Sequence, residues 1–361
     1  MKNKRDIYCE YAFWEAFFEM EERVLRDRSK RKLWDSFYNF LSNNNLFFDF
    51  PMQSITEETI GGKNIMALRQ EKGGAGMKFI PRKYPKFEDI SDDDDCRLNS
   101  VFLTTLETSA CEKISKKFGV IVFNLSMIFS AEHVYIDNGI SFDRANGQNW
   151  TYLWVLREKC PSINCCNSLV VVDRYLLYDN NESAFEANLR PIFDALLPIS
   201  LENDIIFTIC IIAENKCRSI EEKFCHIESL IRELRPELNY RLNICDSNRL
   251  HDRSIITNNV ILTSGAGFDV IGTNEMPLRF TTTSLHFPFL QSDKNEKYLD
   301  WINNVLKEEQ KCRGYQRNYW GDENKRHHLL DYYYEEPVLP RATFSIGSSF
   351  GNLLSQIRAT T

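Results

Sequence analysis

Leu250-His251-Asp252-Arg253-Ser254-Ile255-Ile256-Thr257-Asn258, then Asn259, then Val260-Ile261-Leu262-Thr263-Ser264-Gly265-Ala266-Gly267-Phe268, is the stretch around which the fold is read. It spells a strand, a tight turn at Asn258-Asn259, a second strand and a glycine-rich bend. His251 and Arg253 are two apart, so a strand points both side chains the same way. An acid, Asp252 or another, would pair with Arg253 and stiffen the hairpin. The same guanidinium is also shaped to hold a phosphate through two parallel hydrogen bonds. Residue types alone leave both readings open.

Upstream of the hairpin, Tyr240 to Cys245 reads as a strand and Ser219 opens a helix to Leu234. Ile205 to Ile212 is an apolar strand long enough to be central in a sheet. Glu222 follows Ser219 by three residues, and Glu186 follows Ser183 by three, so each Ser is read as a helix cap. The helix from Ser183 runs through Leu197, and Leu169 to Leu177 is the strand before it. Strand, helix, strand, helix, strand, hairpin is an α/β half-unit. Downstream, His286 falls on a strand but has no basic residue two positions on. A helix starting at Tyr298 leads into Lys307, Lys311, Arg313, Tyr315, Arg317, Tyr319, Trp320, Lys325 and Arg326. Cations interleaved with aromatics suit phosphate contact plus base stacking. The same pattern also describes a helix with a core aromatic stripe and solvated charges.

At the other end of the chain, Ile7-Tyr8-Cys9 is a short strand that stops at Glu10. Tyr11, Trp14, Phe17, Phe18 and Met20 return at helical steps. Arg23, Arg26, Arg28, Lys30, Arg31 and Lys32 form a basic run, either a solvated helix end or a contact to a phosphate backbone. A second helix covers Leu33 to Leu41, and Leu46 to Phe50 is a strand stopped by Pro51. Residues 61–95 are rich in Gly, Lys and Pro and close on an acidic run read as a solvated loop. Asn99 to Leu106 reads as a helical or capped segment. Cys111 to Phe118 is a helix stopped by Gly119, and Val120 to Phe123 is a buried strand ending at Asn124. This is the layout of a three-layer α/β domain.

A chain of 361 residues exceeds what one hydrophobic core usually serves, so two domains are expected. The turn signals Asp137-Asn138-Gly139 and Ala145-Asn146-Gly147 put the boundary near 145, giving 1–145 and 146–361, or as late as Cys166. Apolar residues at 43% and charged residues at 26% are ordinary for a soluble globular protein. A net charge of -7 excludes a molecule-wide trap for polyanions, so any nucleic-acid site must be a local basic patch. The 11 Cys are odd in number and lack CxxC pairs, which points to reduced, buried thiols in a cytoplasmic protein. No apolar run suggests a signal peptide or a transmembrane segment. No glycine-rich loop joins a strand to a helix, so no nucleotide cofactor is expected.

Two parts of the chain resemble known families. His251-x-Arg253-x4-Asn258 resembles the His-x-Lys-x4-Asp motif of the phospholipase D superfamily, with Arg for Lys and Asn for Asp. Val172-Asp173-Arg174-Tyr175-Leu176 and Ser264-Gly265-Ala266-Gly267-Phe268-Asp269 extend the likeness over residues 168–310. That region is similar to the phospholipase D-like C-terminal domain of microtubule-interacting-and-trafficking-domain proteins and their prokaryotic relatives. The resemblance implies a phospholipase D-like α/β sheet with a C-terminal helical tail. It implies His251 as nucleophile or acid, Arg253 on phosphate with Ser264 and Gly265 beside it, and Asn258 as orienter, without metal. The motif occurs once, and a working site needs two copies, so catalysis would require a homodimer with both His251 side chains at its axis. Members of the eukaryotic family are binding modules, which implies instead a non-catalytic scaffold holding a protein partner or an anionic headgroup.

The first 125 residues resemble, by layout, a PIN-type nuclease domain, whose carboxylates bind divalent metal. Glu10 matches the first acid, and Asp49, Glu57 or Glu58 the second. Asn99 and Asn124 stand where further Asp residues are usual, which implies a degenerate metal site at Glu10 and Asp49. Together the resemblances imply a two-domain α/β protein, PIN-like then phospholipase D-like. Its implied role is a prokaryotic, intracellular, nucleic-acid-associated protein, a phosphodiesterase or nuclease component of a defence or mobile-element system.

Overall fold

Two sheets carry the architecture of the computed structural model. It describes residues 5–56, 58–71, 77–79, 86–87, 90, 100–129, 165–178, 182–264, 283–286, 296–321 and 329. The first sheet contains Asp6–Cys9 (β1), Asn45–Phe48 (β2), Met77–Phe79 (β3), Val101–Leu103 (β4) and Ile121–Phe123 (β5). All are parallel, in the order β3-β2-β1-β4-β5. The winding reverses between β1 and β4, and open α/β sheets form their crevice at the carboxyl ends of the strands at such a switch point. Helices Tyr11–Glu19 (α1), Glu21–Leu25 (α2), Arg28–Asn43 (α3), Ile60–Glu71 (α4), Thr108–Phe118 (α5) and Leu125–Ile128 (α6) accompany it. Of the residues read at helical steps, Trp14, Phe17 and Phe18 are buried on α1 together with Phe13, while Tyr11 and Met20 are only partly buried. Phe17 stacks on Trp34 with ring centroids 5.2 Å apart, and Trp14 meets Phe48 edge-on.

The second sheet contains Ser168–Val172 (β6), Phe207–Ala213 (β7), Tyr240–Asp246 (β8), Arg253–Thr257 (β9), Ile261–Ser264 (β10), Thr283–His286 (β11) and Tyr319–Gly321 (β12). Its order is β11-β10-β9-β6-β7-β8-β12. The trio β6, β7 and β8 is parallel, and every other pairing is antiparallel. Its helices are Glu182–Leu196 (α7), Ile220–Leu234 (α8) and Glu296–Gly314 (α9). The apolar run of β7 is central and buried throughout, as its composition predicts. Ser219 caps α8, its hydroxyl accepting from the Glu222 N–H at 3.2 Å. The molecule is therefore mixed α/β, and its described residues include no helix long and apolar enough to cross a membrane. The described cysteines are free thiols, and all but Cys217 and Cys225 are buried.

Several local readings change. Val101–Leu103 is a strand, not a helix, because it lies between β1 and β5's side of the sheet with every residue buried. Residues 60–71 form α4 despite Gly61-Gly62, which cost a helix about 1 kcal/mol each. Close packing requires glycine there: a Cβ on Gly62 would lie 1.9 Å from the Thr56 carbonyl oxygen. The strand read as Leu169–Leu177 stops at Val172, where Asp173 starts a turn. Helix α7 begins at Glu182, one residue ahead of Ser183. The basic run of residues 23–32 falls on α2 and the start of α3, with its cations exposed.

The interdomain position near residue 145 lies outside the described residues, as do Glu57, Asn99 and Gly265. The two sheets belong to one compact unit spanning residues 1–331. Hydrogen bonds cross between them. Arg5, just ahead of β1, donates from Nη1 to Asn259 Oδ1 at 3.1 Å and from Nη2 to the Asn258 carbonyl. Asn167 Nδ2 donates to the Gly119 carbonyl at 3.2 Å.

Candidate anion site at the carboxyl edge of the second sheet

Parallel β6 and β7 end together, and a polar residue follows each: Asp173 after Val172, Glu214 after Ala213. Asp173 is buried. Its Oδ1 accepts from the Tyr175 N–H at 3.0 Å, and its carbonyl accepts from the Leu176 N–H at 3.2 Å. The Arg174 carbonyl is held by the Glu214 N–H at 3.1 Å. These bonds fix a tight turn that presents Tyr175 with 43% of its surface exposed.

Strand β9 runs antiparallel beside β6, with Ser254 opposite Val172, so Arg253 comes level with Asp173. The Arg253 guanidinium carbon lies 5.0 Å from the Tyr175 ring centroid, and its Nε lies 3.8 Å from Asp173 Oδ1. That separation gives Coulomb attraction but is too long for a hydrogen bond. Among the described residues Arg253 has an ion pair and a ring contact, but no hydrogen-bond acceptor, while its side chain is only 16% exposed. Ser264 is paired with Arg253 across β9 and β10, which places it on the same edge. The acid that pairs with Arg253 is thus Asp173 rather than Asp252.

Arg174 behaves differently. Its Nε donates to Glu214 Oε2 at 2.8 Å, and the same oxygen accepts from the Tyr178 hydroxyl at 2.6 Å. Lys216 Nζ lies 3.1 Å from the other oxygen. The Tyr178 hydroxyl, then Arg174 and Lys216, hold the Glu214 carboxyl at about 2, well below its ordinary value near 4.5. A carboxyl with a depressed value stabilises the fold above its unfolded value and loses that contribution as pH falls towards its folded one. Glu214→Gln is therefore expected to flatten the fall in stability between about pH 4.5 and about 2. Urea midpoints measured across that window check this, and an unchanged slope counts against it.

His251 is exposed and precedes β9, which begins only at Arg253. The expected strand does not reach it: β6 pairs β9 no further than Val172 opposite Ser254, and the residues after Ser264 lie outside those described. No ladder then imposes a common face on His251 and Arg253. Asn258 lies past the other end of β9, about 16 Å from Arg253 at roughly 3.3 Å per residue. Its side chain is buried. Its Oδ1 accepts from Asn167 N at 2.9 Å, Ser168 N at 3.0 Å and Ser168 Oγ at 3.2 Å. Its Nδ2 donates to Asn167 Oδ1 at 3.0 Å. Asn258 orients the start of β6, at the opposite edge from Arg253.

On the first sheet, Glu10 and Asp49 follow β1 and β2, whose register sets them side by side. Glu10 Oε1 accepts from Thr104 Oγ1 at 2.8 Å, and Oε2 accepts from the Thr105 N–H at 2.8 Å and its hydroxyl at 3.1 Å. These threonines follow β4, so the bonds bridge the switch point. Asp49 Oδ1 accepts from the Tyr11 N–H at 3.0 Å, and burial, with the charge of Glu10 adding to it, raises the Asp49 carboxyl. Asn124 caps α6 through the Met127 N–H at 3.0 Å. Glu58 is exposed. No group of three or more His, Cys, Asp and Glu among the described residues is arranged to hold a metal. The two expected acids are adjacent, but donors of the chain occupy Glu10, and a hard cation needs more anionic oxygens than this pair supplies.

Sequence reasoning quoted Tyr175 without giving it a role, and missed Glu214, Thr104 and Thr105. Their common signal is position: a polar residue within three positions after an apolar strand marks the carboxyl edge of a parallel sheet.

No protein-family model matches the chain, and no curated protein does. Among solved structures it is similar to TrmBL2, an archaeal chromatin protein whose structure is described as showing a novel mode of DNA binding. The TM-score is 0.24 and the identity 7%, over 48% of this chain and 54% of that one. The chain thus spans about half the length of that protein, and a likeness at this level establishes neither fold nor function.

Proposed function

We propose that this protein holds a phosphate of a nucleic acid on Arg253 and does not turn it over. The observation that carries the reading is the state of Arg253. It is largely withdrawn from water and pinned between Tyr175 and Asp173, with no hydrogen-bond acceptor among the described residues. A guanidinium in that state gains most from paired anionic oxygens, which its planar fork fits. Binding without turnover fits the rest of the motif. His251 lies outside the strand, and Asn258 is about 16 Å away with its carboxamide used internally. In this reading the chain is a binding module built on inherited PIN-like and phospholipase D-like α/β folds.

Fluorescence anisotropy with labelled DNA and RNA strands tests it. Arg253→Ala is expected to weaken binding by about 10- to 150-fold, the equivalent of a charge-assisted hydrogen bond of about 1.5–3 kcal/mol. Arg253→Lys should recover part of the loss, and the strands should remain uncut with EDTA or with Mn²⁺. Undiminished affinity in Arg253→Ala would sink the proposal.

A second reading, phosphodiesterase chemistry with His251 as nucleophile, is favoured by the exposure of His251 two residues from Arg253. Cleavage that survives EDTA and disappears in His251→Ala would establish it in place of the first.

A further inference from the structure

We infer that Tyr175 is a stacking platform for a nucleobase, so that the carboxyl edge of the second sheet takes an unpaired nucleotide unit rather than a bare phosphate. The inference rests on the phosphate reading of Arg253 and adds the chemistry beside it. Tyr175 is one of the few large apolar or aromatic side chains that the described residues leave exposed. It is not on a loose loop. Its N–H is bonded to Asp173, its carbonyl accepts from the Tyr178 N–H at 3.3 Å, and the Arg174 carbonyl is tied to β7 through Glu214. The backbone of the turn is in place before a ligand arrives, and the ring on it already contacts Arg253, Arg174 and Tyr178, so binding loses little conformational freedom.

The groups around the ring suit a nucleotide. The Arg253 guanidinium carbon lies 5.0 Å and that of Arg174 5.9 Å from the ring centroid, and the Tyr178 ring stands edge-on at 5.3 Å. A base has a π-face for Tyr175 and a covalently attached phosphate for Arg253, and the 5.0 Å between the two protein groups is within the reach of one nucleotide. The nearby carboxylates are already engaged. Glu214 is bonded to Arg174 and Tyr178 and paired with Lys216, and Asp173 is buried, bonded to the Tyr175 N–H and paired with Arg253. In a double helix the bases are stacked on each other and cannot lie on a protein ring, so the ligand is single-stranded or a free nucleotide.

The test compares a labelled oligothymidylate, an abasic deoxyribose-phosphate strand of equal length and a duplex, by anisotropy on the full chain. Wild type is expected to prefer the base-bearing strand over the abasic one by about 5- to 150-fold, since one base–aromatic stack contributes roughly 1–3 kcal/mol. Tyr175→Ala should erase that preference, and Tyr175→Phe and Tyr175→Trp, which keep a ring beside Arg253, should retain both the preference and abasic binding. Competition with thymidine monophosphate identifies the source: displacement of the strand assigns the site to a free nucleotide, and failure to displace it assigns the site to the strand. Equal wild-type affinity for the base-bearing and abasic strands overturns the inference, as does a preference that survives Tyr175→Ala. Abasic binding that ignores Arg253→Ala is a different failure, that of the phosphate reading itself.

Discussion

Asn258→Ala is expected to lower stability by about 3–5 kcal/mol. The substitution removes an oxygen that accepts from Asn167 N, Ser168 N and Ser168 Oγ, and a nitrogen that donates to Asn167 Oδ1. Both partners are buried, at 1% and 0% exposure, so water cannot readily replace the lost oxygen. Leaving a buried donor without its acceptor costs about 1–3 kcal/mol, and two backbone donors lose theirs together. The losses share one side chain and are not strictly additive. Urea unfolding followed by tryptophan fluorescence reads the change, and a loss under about 1 kcal/mol would contradict this account. Asn258→Asp keeps part of the network. It still accepts from Asn167 and Ser168, but it sets a carboxylate oxygen against Asn167 Oδ1 and buries a charge, so it too is expected to destabilise. It should not create activity, because that side chain lies at the wrong edge of the sheet for Arg253.

Gly119→Ala is expected to cost about 2–4 kcal/mol, far more than an ordinary glycine replacement. Gly119 ends α5 in the left-handed region, at φ 65°, where an L side chain costs about 1–2 kcal/mol. An added Cβ would also lie 2.7 Å from the Cys166 carbonyl oxygen and 3.0 Å from its carbon. Those are backbone atoms at the entry to β6, so they cannot swing aside as the end of a side chain would. Gly314 is the control: a Cβ there meets nothing within 4 Å, so Gly314→Ala should be near neutral. Thermal unfolding of the two variants side by side decides the matter. Similar melting temperatures would mean that the close approach at Gly119 is not needed.

What could be read from sequence was what local chemistry determines. Ser219 with Glu222, and Gly119 after an amphipathic run, are cap signals whose partners lie within one turn of helix. The apolar run of β7 announced a central strand, and Asn258-Asn259 announced the hairpin turn. What escaped depended on distant residues. Val101–Leu103 is a strand because β1 and β5 flank it, and α4 opens on Gly61-Gly62 because Glu15 and Thr56 leave no room for a Cβ there. The candidate site divides the same way. Arg253 was legible by residue type, but its placement against Asp173 and Tyr175 follows from the register of β9 on β6. His251 was expected on the strand because its spacing allowed it, and it lies off the strand, which begins at Arg253 where β6 has already ended its pairing. The role of Asn258 was set by Asn167 and Ser168, some ninety residues earlier in the chain.

The bond from Arg5 to Asn259 closes a loop of 254 residues. Closing so long a chain costs about 5 kcal/mol of entropy if nothing else has yet formed, more than one hydrogen bond returns. The seam is therefore expected to close late, after each sheet has shortened the effective loop by folding on itself. Interactions made after the rate-limiting step govern how long the native state lasts, not how quickly it is reached. Arg5 and the Asn258-Asn259 turn thus act as a latch on lifetime: loosening it should let the protein open sooner while it still folds at nearly its former speed.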